Sequence, residues 1–149
     1  MTEIEDRLAL AELSTRYARA VDSRQFGDLA QVFAADGKLV SPVGERQGLD
    51  AIAGAMAGLL AYRMTFHHIG QHFISELVPG ERATTETYCE AHHLMTDGED
   101  RADRVMLIRY DDTCIHTPEG WRIAERRLAV AWIDDRPVHP PPGTTDSSE

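Results

Sequence analysis

Two histidine-rich stretches and one aspartate hold the residue types that acid–base chemistry needs. Phe66-His67-His68-Ile69-Gly70-Gln71-His72 carries three imidazoles, and Glu90-Ala91-His92-His93 carries two more. An imidazole takes and gives protons near neutral pH. A carboxylate accepting from one ring nitrogen fixes the tautomer, raises the basicity and leaves the other nitrogen open to a proton. Asp22, after the apolar pair Ala20-Val21, is the candidate for that orienting role. In a purely structural role it would cap the helix that follows.

The same histidines invite a metal reading, which the spacing weakens. His68 and His72 have the i, i+4 spacing of a helical zinc protease, but Ile69 stands where that site needs its glutamate. On a strand, residues four apart are separated by about 13 Å, too far to share one ion. No metal is therefore expected. His72, His116 and His139 read as surface or hydrogen-bonded structural residues. Cys89 and Cys114 form no Cys-x-x-Cys pair and are expected to be reduced thiols of a cytoplasmic protein.

The positioning elements follow from hydrophobic periodicity. Ile4, Leu8, Leu10, Leu13 and Tyr17 recur at helical spacing, and Thr2 with Glu5 has the form of a capping box. A second helix is predicted over residues 24–35, capped by Asp22 or Ser23 and stopped at Asp36-Gly37. Lys38 to Pro42 reads as a short strand. A third helix is predicted from Gly48 to Ala61, with Gly54 and Gly58 expected to mark close packing. The period then changes. Residues 66–78, 82–96, 103–115 and 121–133 are strand-like, separated by Pro79-Gly80, Asp97-Gly98 and Pro118-Glu119-Gly120. Helices followed by hairpin-linked strands predict an α+β fold with the helices on one face of a curved antiparallel sheet. Residues 1–136 read as one domain, and 137–149, Pro-rich then polar, as an extended tail.

Alternation along residues 82–93 sorts the candidates. Arg82, Thr84, Glu86, Tyr88, Glu90 and His92 share one parity and should meet water. Ala83, Thr85, Thr87, Cys89, Ala91 and His93 share the other. Small side chains facing helices leave a gap, which is how a pocket arises, with His93 on its wall. The preceding strand should add His67 or His68 to that side, and parity alone leaves the choice open.

Composition narrows the partners. The chain has 149 residues, 42% hydrophobic and 27% charged, with a formal net charge of −10. That sign opposes binding to phosphate backbones and anionic membrane surfaces. No apolar run approaches the roughly 20 residues that span a bilayer. The expected partner is a small apolar molecule.

Four segments, YARAVDSRQFGDLAQVFAADGKLV, GLDAIAGAM, FHHIGQHFISELVPGERATTETYCEAHHL and GWRIAERRLAVAW, resemble the SnoaL-like branch of the NTF2-like superfamily. Within it they are most similar to scytalone dehydratase and hexachlorocyclohexane dehydrochlorinase. The resemblance covers roughly residues 3–133. It implies a cone of three helices wrapped by a strongly curved antiparallel sheet around a deep apolar pocket. It implies that Asp22 and His68 take the places of the catalytic dyad, and that His93 takes the place of a second pocket histidine. Val21 stands where the dehydratase has a tyrosine, and KLVSP offers only Ser41 for a second one. Tyr17, Tyr62 and Tyr88 are candidate replacements for those phenols. Arg127 is the candidate for the dehydrochlorinase's leaving-group site.

The resulting expectation is proton abstraction from a carbon acid by His68, oriented by Asp22, with His93 donating to a leaving hydroxyl or an enolate oxygen. Tyr17, Val21, Cys89 and Arg127 are expected around the substrate. Such an elimination needs no metal or organic cofactor. Isomerisation or aldol cyclisation in the same pocket is the alternative, and a non-catalytic ligand-binding module is a third reading. Leu128, Val130 and Trp132 share one parity on the last strand and suggest an apolar outer face buried in a homodimer or homotrimer.

Overall fold

Thr2 starts the first helix, as its spacing to Glu5 predicts. In the computed structural model, which describes residues 2–95 and 101–139, the Glu5 backbone N–H donates to the Thr2 hydroxyl and the Glu5 carboxylate accepts from the Thr2 backbone N–H. Helix α1 then runs over Glu3–Asp22. Its inner face buries Leu10, Leu13, Tyr17, Ala20 and Val21. Each large apolar side chain so buried contributes about 1.5–3 kcal/mol relative to exposure. Asp6, also buried, accepts from the Trp121 indole N–H at 2.8 Å and the Gly80 backbone N–H at 2.9 Å. That carboxylate ties the start of α1 to the far end of the sheet.

The chain after α1 departs from the expected second helix. Arg24 adopts φ +62°, a left-handed conformation that reverses the chain. A six-residue 3-10 helix, Phe26–Gln31, follows without a side-chain cap, and strand β1 (Phe33–Ser41) begins two residues later. The apolar residues Leu29, Val32 and Phe33 are buried, but as a turn entering a strand. Hydrophobic content alone does not separate a short buried strand from a helix. Strand β2 (Gly44–Gln47) returns antiparallel to β1, and helix α2 covers Leu49–Ala57, passing into a 3-10 turn at Gly58–Ala61. A Cβ at Gly54 or Gly58 would meet nothing within 4 Å, so neither glycine marks a close contact.

Strands β3 (Met64–Val78), β4 (Arg82–Met95), β5 (Ala102–Thr117) and β6 (Gly120–Pro137) form an antiparallel meander. Strand β1 adds to β6 in parallel, giving one six-stranded sheet in the order β2-β1-β6-β5-β4-β3. The α+β class stands, but the strongly curved, wholly antiparallel wrap does not. The sheet is mixed, and β2 and β3 leave it open at two edges; it is neither closed nor strongly curled. The parallel β1–β6 pairing is irregular between Phe33 and Lys38, where Gly37 sits. A Cβ there would lie 2.9 Å from the Ala34 carbonyl oxygen, so the position accepts only glycine.

Pro137, where the expected tail starts, ends β6 instead, and the Val138 N–H donates to the Arg101 carbonyl. Residues 140–149 and the turn at Asp97-Gly98 lie outside the described residues. Among the described residues, no helix is long and apolar enough to cross a membrane.

Candidate active site

Asp22, the last residue of α1, does not cap the following turn. Its carboxylate reaches across to β3. Oδ1 accepts from the His67 ring Nδ1 at 2.7 Å and from the Thr65 hydroxyl at 2.9 Å, while Oδ2 accepts from the His67 backbone N–H at 2.8 Å. Arg24 backs this cluster, donating to the Thr65 hydroxyl at 3.2 Å and the Tyr62 carbonyl at 3.4 Å. Its backbone is left-handed, a conformation costing about 1–3 kcal/mol for a residue other than glycine. Burial alone would raise the Asp22 pKa. The hydrogen bonds from the His67 ring and backbone, the charge of His67 and the Thr65 hydroxyl outweigh it and hold the carboxyl below its ordinary 3.8.

The partner of Asp22 is therefore His67, not His68. His68 faces the opposite side of the sheet, pairs across to Glu90 and lines an outer depression with Tyr88 and Arg109. The reason is register. Leaving the Pro79-Gly80 turn, Leu77 faces Ala83. The pairing then shifts between Ile74 and Glu76 and again between Ile69 and His72. Each bulge reverses which residues face inward, and two of them restore the original parity. Thr65, His67 and Ile69 thus pair with His93, Ala91 and Cys89 on the inner face.

His93 is on that inner face, as alternation predicts, and is 3% exposed. Its ring lies 5.9 Å from that of His67 and 4.9 Å from that of Tyr62. Its Nδ1 is 3.0 Å from the Arg104 carbonyl oxygen, which only accepts, so Nδ1 carries the hydrogen. Asp103 accepts from the His93 backbone N–H. Burial pushes the His93 pKa below 6.5, and neighbouring His67 adds to the effect. A neutral ring with Nδ1–H leaves Nε2 as an acceptor. His93 is thus placed to receive a hydrogen bond from a ligand rather than to give one, contrary to the donor role expected from sequence. In His67 the Asp22 carboxylate takes the Nδ1 hydrogen, which leaves Nε2 as the other ring nitrogen.

These groups line a cavity of about 630 Å³ between the sheet and the α2 side of the molecule. Its apolar wall includes Leu39, Met56, Leu59, Met106, Leu128 and Val130. Leu128 and Val130 therefore belong to the interior, not to an outer apolar face; a register shift between Leu107 and Ile108 leaves Trp132 61% exposed. Tyr17 and Tyr62 reach the cavity and Tyr88 does not. Burial pushes the Tyr17 phenol up to about 12, so it stays a donor. Among the described residues its hydroxyl bonds only the Met56 thioether, at 3.3 Å, a weak acceptor.

The other expected pocket residues lie elsewhere. Val21 is fully buried in the core. Cys89 is buried beside Tyr110 with its thiol pushed up to about 11 by burial, which makes it unreactive. Neither it nor Cys114 forms a disulfide. Arg127 is on the outer face, paired with Glu125 at 2.7 Å. Its neighbour Arg126, which sequence reasoning passed over, is the buried one. It donates to both Asp112 carboxylate oxygens at 2.8 and 2.7 Å and to the Ser14 hydroxyl at 2.8 Å. The Tyr17 and Tyr110 rings lie 4.6 and 4.1 Å from the guanidinium carbon. The cavity's two aromatic floor residues are therefore held by a buried cation. The sequence signal was available in alternation: Asp112 shares the parity of Ile108, Tyr110 and Cys114, and Arg126 that of Leu128 and Val130. Among the described residues, no three His, Cys, Asp or Glu side chains converge as metal ligands.

The buried neutral histidines give stability a pH dependence. Burial lowers the pKa of His72, which bonds to the Thr87 hydroxyl, as it does for His93. Both start from 6.5, so below that value the unfolded chain binds more protons than the native one. Stability should hold above about pH 7 and fall as the pH drops from 6.5 toward the lowered native values. Asp22 adds a further loss below 3.8. Urea unfolding from about pH 8 to 5 checks this; a midpoint independent of pH would contradict the neutral assignment.

Known proteins share both the sequence pattern and the fold. Uncharacterised proteins of Mycobacterium bovis and Mycobacterium tuberculosis are 30% identical over 134 residues, covering 85% of this chain and 86% of theirs. A type 2 hexachlorocyclohexane dehydrochlorinase superposes with a TM-score of 0.80 at 18% identity, over 95% of this chain and 97% of that one. A scytalone dehydratase candidate from Novosphingobium aromaticivorans gives 0.78 at 22% identity, over 96% and 97%. At such identities the structures share the fold alone. The family model of the SnoaL-like domain matches residues 2–127, and the chain belongs to that family.

Proposed function

We propose that the protein is a cofactor-independent lyase that removes a proton from a carbon acid and expels water. The observation that carries this reading is the Asp22–His67 contact at the wall of an apolar cavity. Ionisable groups are costly to bury, and their convergence there is a mark of function. His67 Nε2 takes the proton next to a substrate carbonyl while Asp22 balances the imidazolium charge. The C–H electron pair becomes the new C=C bond, the C–O bond breaks, and the imidazolium returns its proton to the departing hydroxyl as water. The Tyr17 hydroxyl, poorly satisfied by Met56, is the donor for the carbonyl oxygen. His93 Nε2 accepts from the substrate hydroxyl and orients it. The dehydratase and dehydrochlorinase with this fold support an elimination, although identity with them is low.

The test is product analysis on a panel of cyclic β-hydroxy ketones, with and without a carboxylate substituent. Loss of water from any member, above the rate without protein, supports the lyase. Isomerisation also has a specific observation behind it, because two imidazoles with free Nε2 atoms face one cavity and could move a proton between carbons. A product of unchanged mass would select it and overturn the lyase reading.

A further inference from the structure

The cavity mouth carries one charge that the rest of the site leaves unused. Of its described lining residues, Arg46 alone bears a fixed charge; the remainder are apolar, hydroxyl-bearing or histidine. Arg46 lies on β2, exposed to solvent. Its Nη1 donates to the Glu45 backbone carbonyl at 2.9 Å. No carboxylate among the described residues lies within ion-pair reach of it. Its neighbour Glu45 is taken by Lys38 at 3.0 Å. In a chain with 25 acidic residues against 15 Lys and Arg, a cation left unpaired beside an apolar cavity stands out. A guanidinium presents paired donors that match the two oxygens of a carboxylate.

We infer that the substrate is an organic acid whose apolar body fills the cavity and whose carboxylate rests on Arg46 at the mouth. This deepens the proposed function and rests on the same cavity. Binding by Arg46 would hold the molecule by its end away from the histidines. That fixes which carbon meets His67, and restricts the substrates to those long enough to span from the mouth to the dyad. The neutral wall between the two ends favours a hydrocarbon or aromatic linker.

The experiment compares 2-naphthylacetate with its uncharged isostere 2-naphthylacetamide. Both are titrated into the intact protein while the ring signals of His67 and His93 are followed by NMR, so that only occupancy of this cavity is read. The acid is expected to bind about two- to fivefold more tightly than the amide, the range of an exposed ion pair. Added salt should weaken the acid alone. Arg46→Gln should erase the difference while leaving the amide's affinity unchanged. Equal binding of the two probes by the wild type, a preference for the acid that survives Arg46→Gln, or no shift of the ring signals with either probe would overturn the inference. The readout needs no turnover. A protein that binds the acid through Arg46 but eliminates nothing would sink the lyase and leave this site standing; the reverse result would do the opposite.

Discussion

Replacing His67 by alanine is expected to lower turnover by about 10²–10⁴-fold, the contribution of a positioned base. His68→Ala, one residue away, should leave it unchanged. The two rings lie on opposite faces of β3, and only the His67 ring meets both Asp22 and the cavity. Asp22→Asn should approach the His67→Ala level for a different reason. An amide can donate to Nδ1 as well as accept from it, which allows the tautomer with hydrogen on Nε2, and that nitrogen is then no base. Circular dichroism and unfolding midpoints close to wild type would show that the fold survives each change. Initial rates of water loss, measured for the three variants on one substrate, check the ordering. Equal losses for His67→Ala and His68→Ala would contradict it.

The largest effect on stability is expected at Asp112, on β5. Arg126 and Asp112 have side chains 0% and 2% exposed, with two hydrogen bonds between them. Burial would lower the Arg126 pKa, but the charge and hydrogen bonds of Asp112 outweigh it and hold the pKa above its ordinary value. Asp112→Ala would strand that cation between Tyr17 and Tyr110. Removing one partner of a buried pair costs about 3–5 kcal/mol. For a domain of this size that corresponds to a drop of roughly 6–20 °C in Tm. Because Arg126 also supports the Tyr17 ring, ligand affinity should fall with it. The double change Asp112→Leu with Arg126→Met removes both charges and should recover most of the stability. Calorimetry on the single and double variants decides the matter. A single variant with wild-type Tm would mean that Arg126 finds water, and that the network does not hold the cavity floor.

The sequence made some parts of this site legible and hid others, for identifiable reasons. The first helix and its cap follow from Thr2, Glu5 and the apolar period through Tyr17. The inward face of β4 follows from strict alternation between Ala83 and His93, because β4 carries no bulge against β5. β3 carries two bulges against β4, and a bulge has no signature in single-residue propensities. Parity therefore left the choice between His67 and His68 open, and the assignment of His68 rested on the family resemblance. Arg127 likewise rested on the resemblance, whereas Arg126 shares the inward parity of Leu128 and is the buried residue of the two. The second expected helix failed differently. Phe26, Leu29, Val32 and Phe33 satisfy a helical period, but nothing in that period announces the left-handed turn at Arg24. The mixed pairing was beyond reach as well, because the parallel β1–β6 contact joins strands far apart along the chain.

The central claim is that His67, held by Asp22, removes hydrogen from carbon. It is tested most directly by incubating the protein in D2O with a ketone that carries an acidic C–H but no leaving group, and following that carbon by NMR. Deuterium should appear at the position next to the carbonyl with wild type and with His68→Ala, and not with His67→Ala. Exchange that persists in His67→Ala at the wild-type rate would contradict the account.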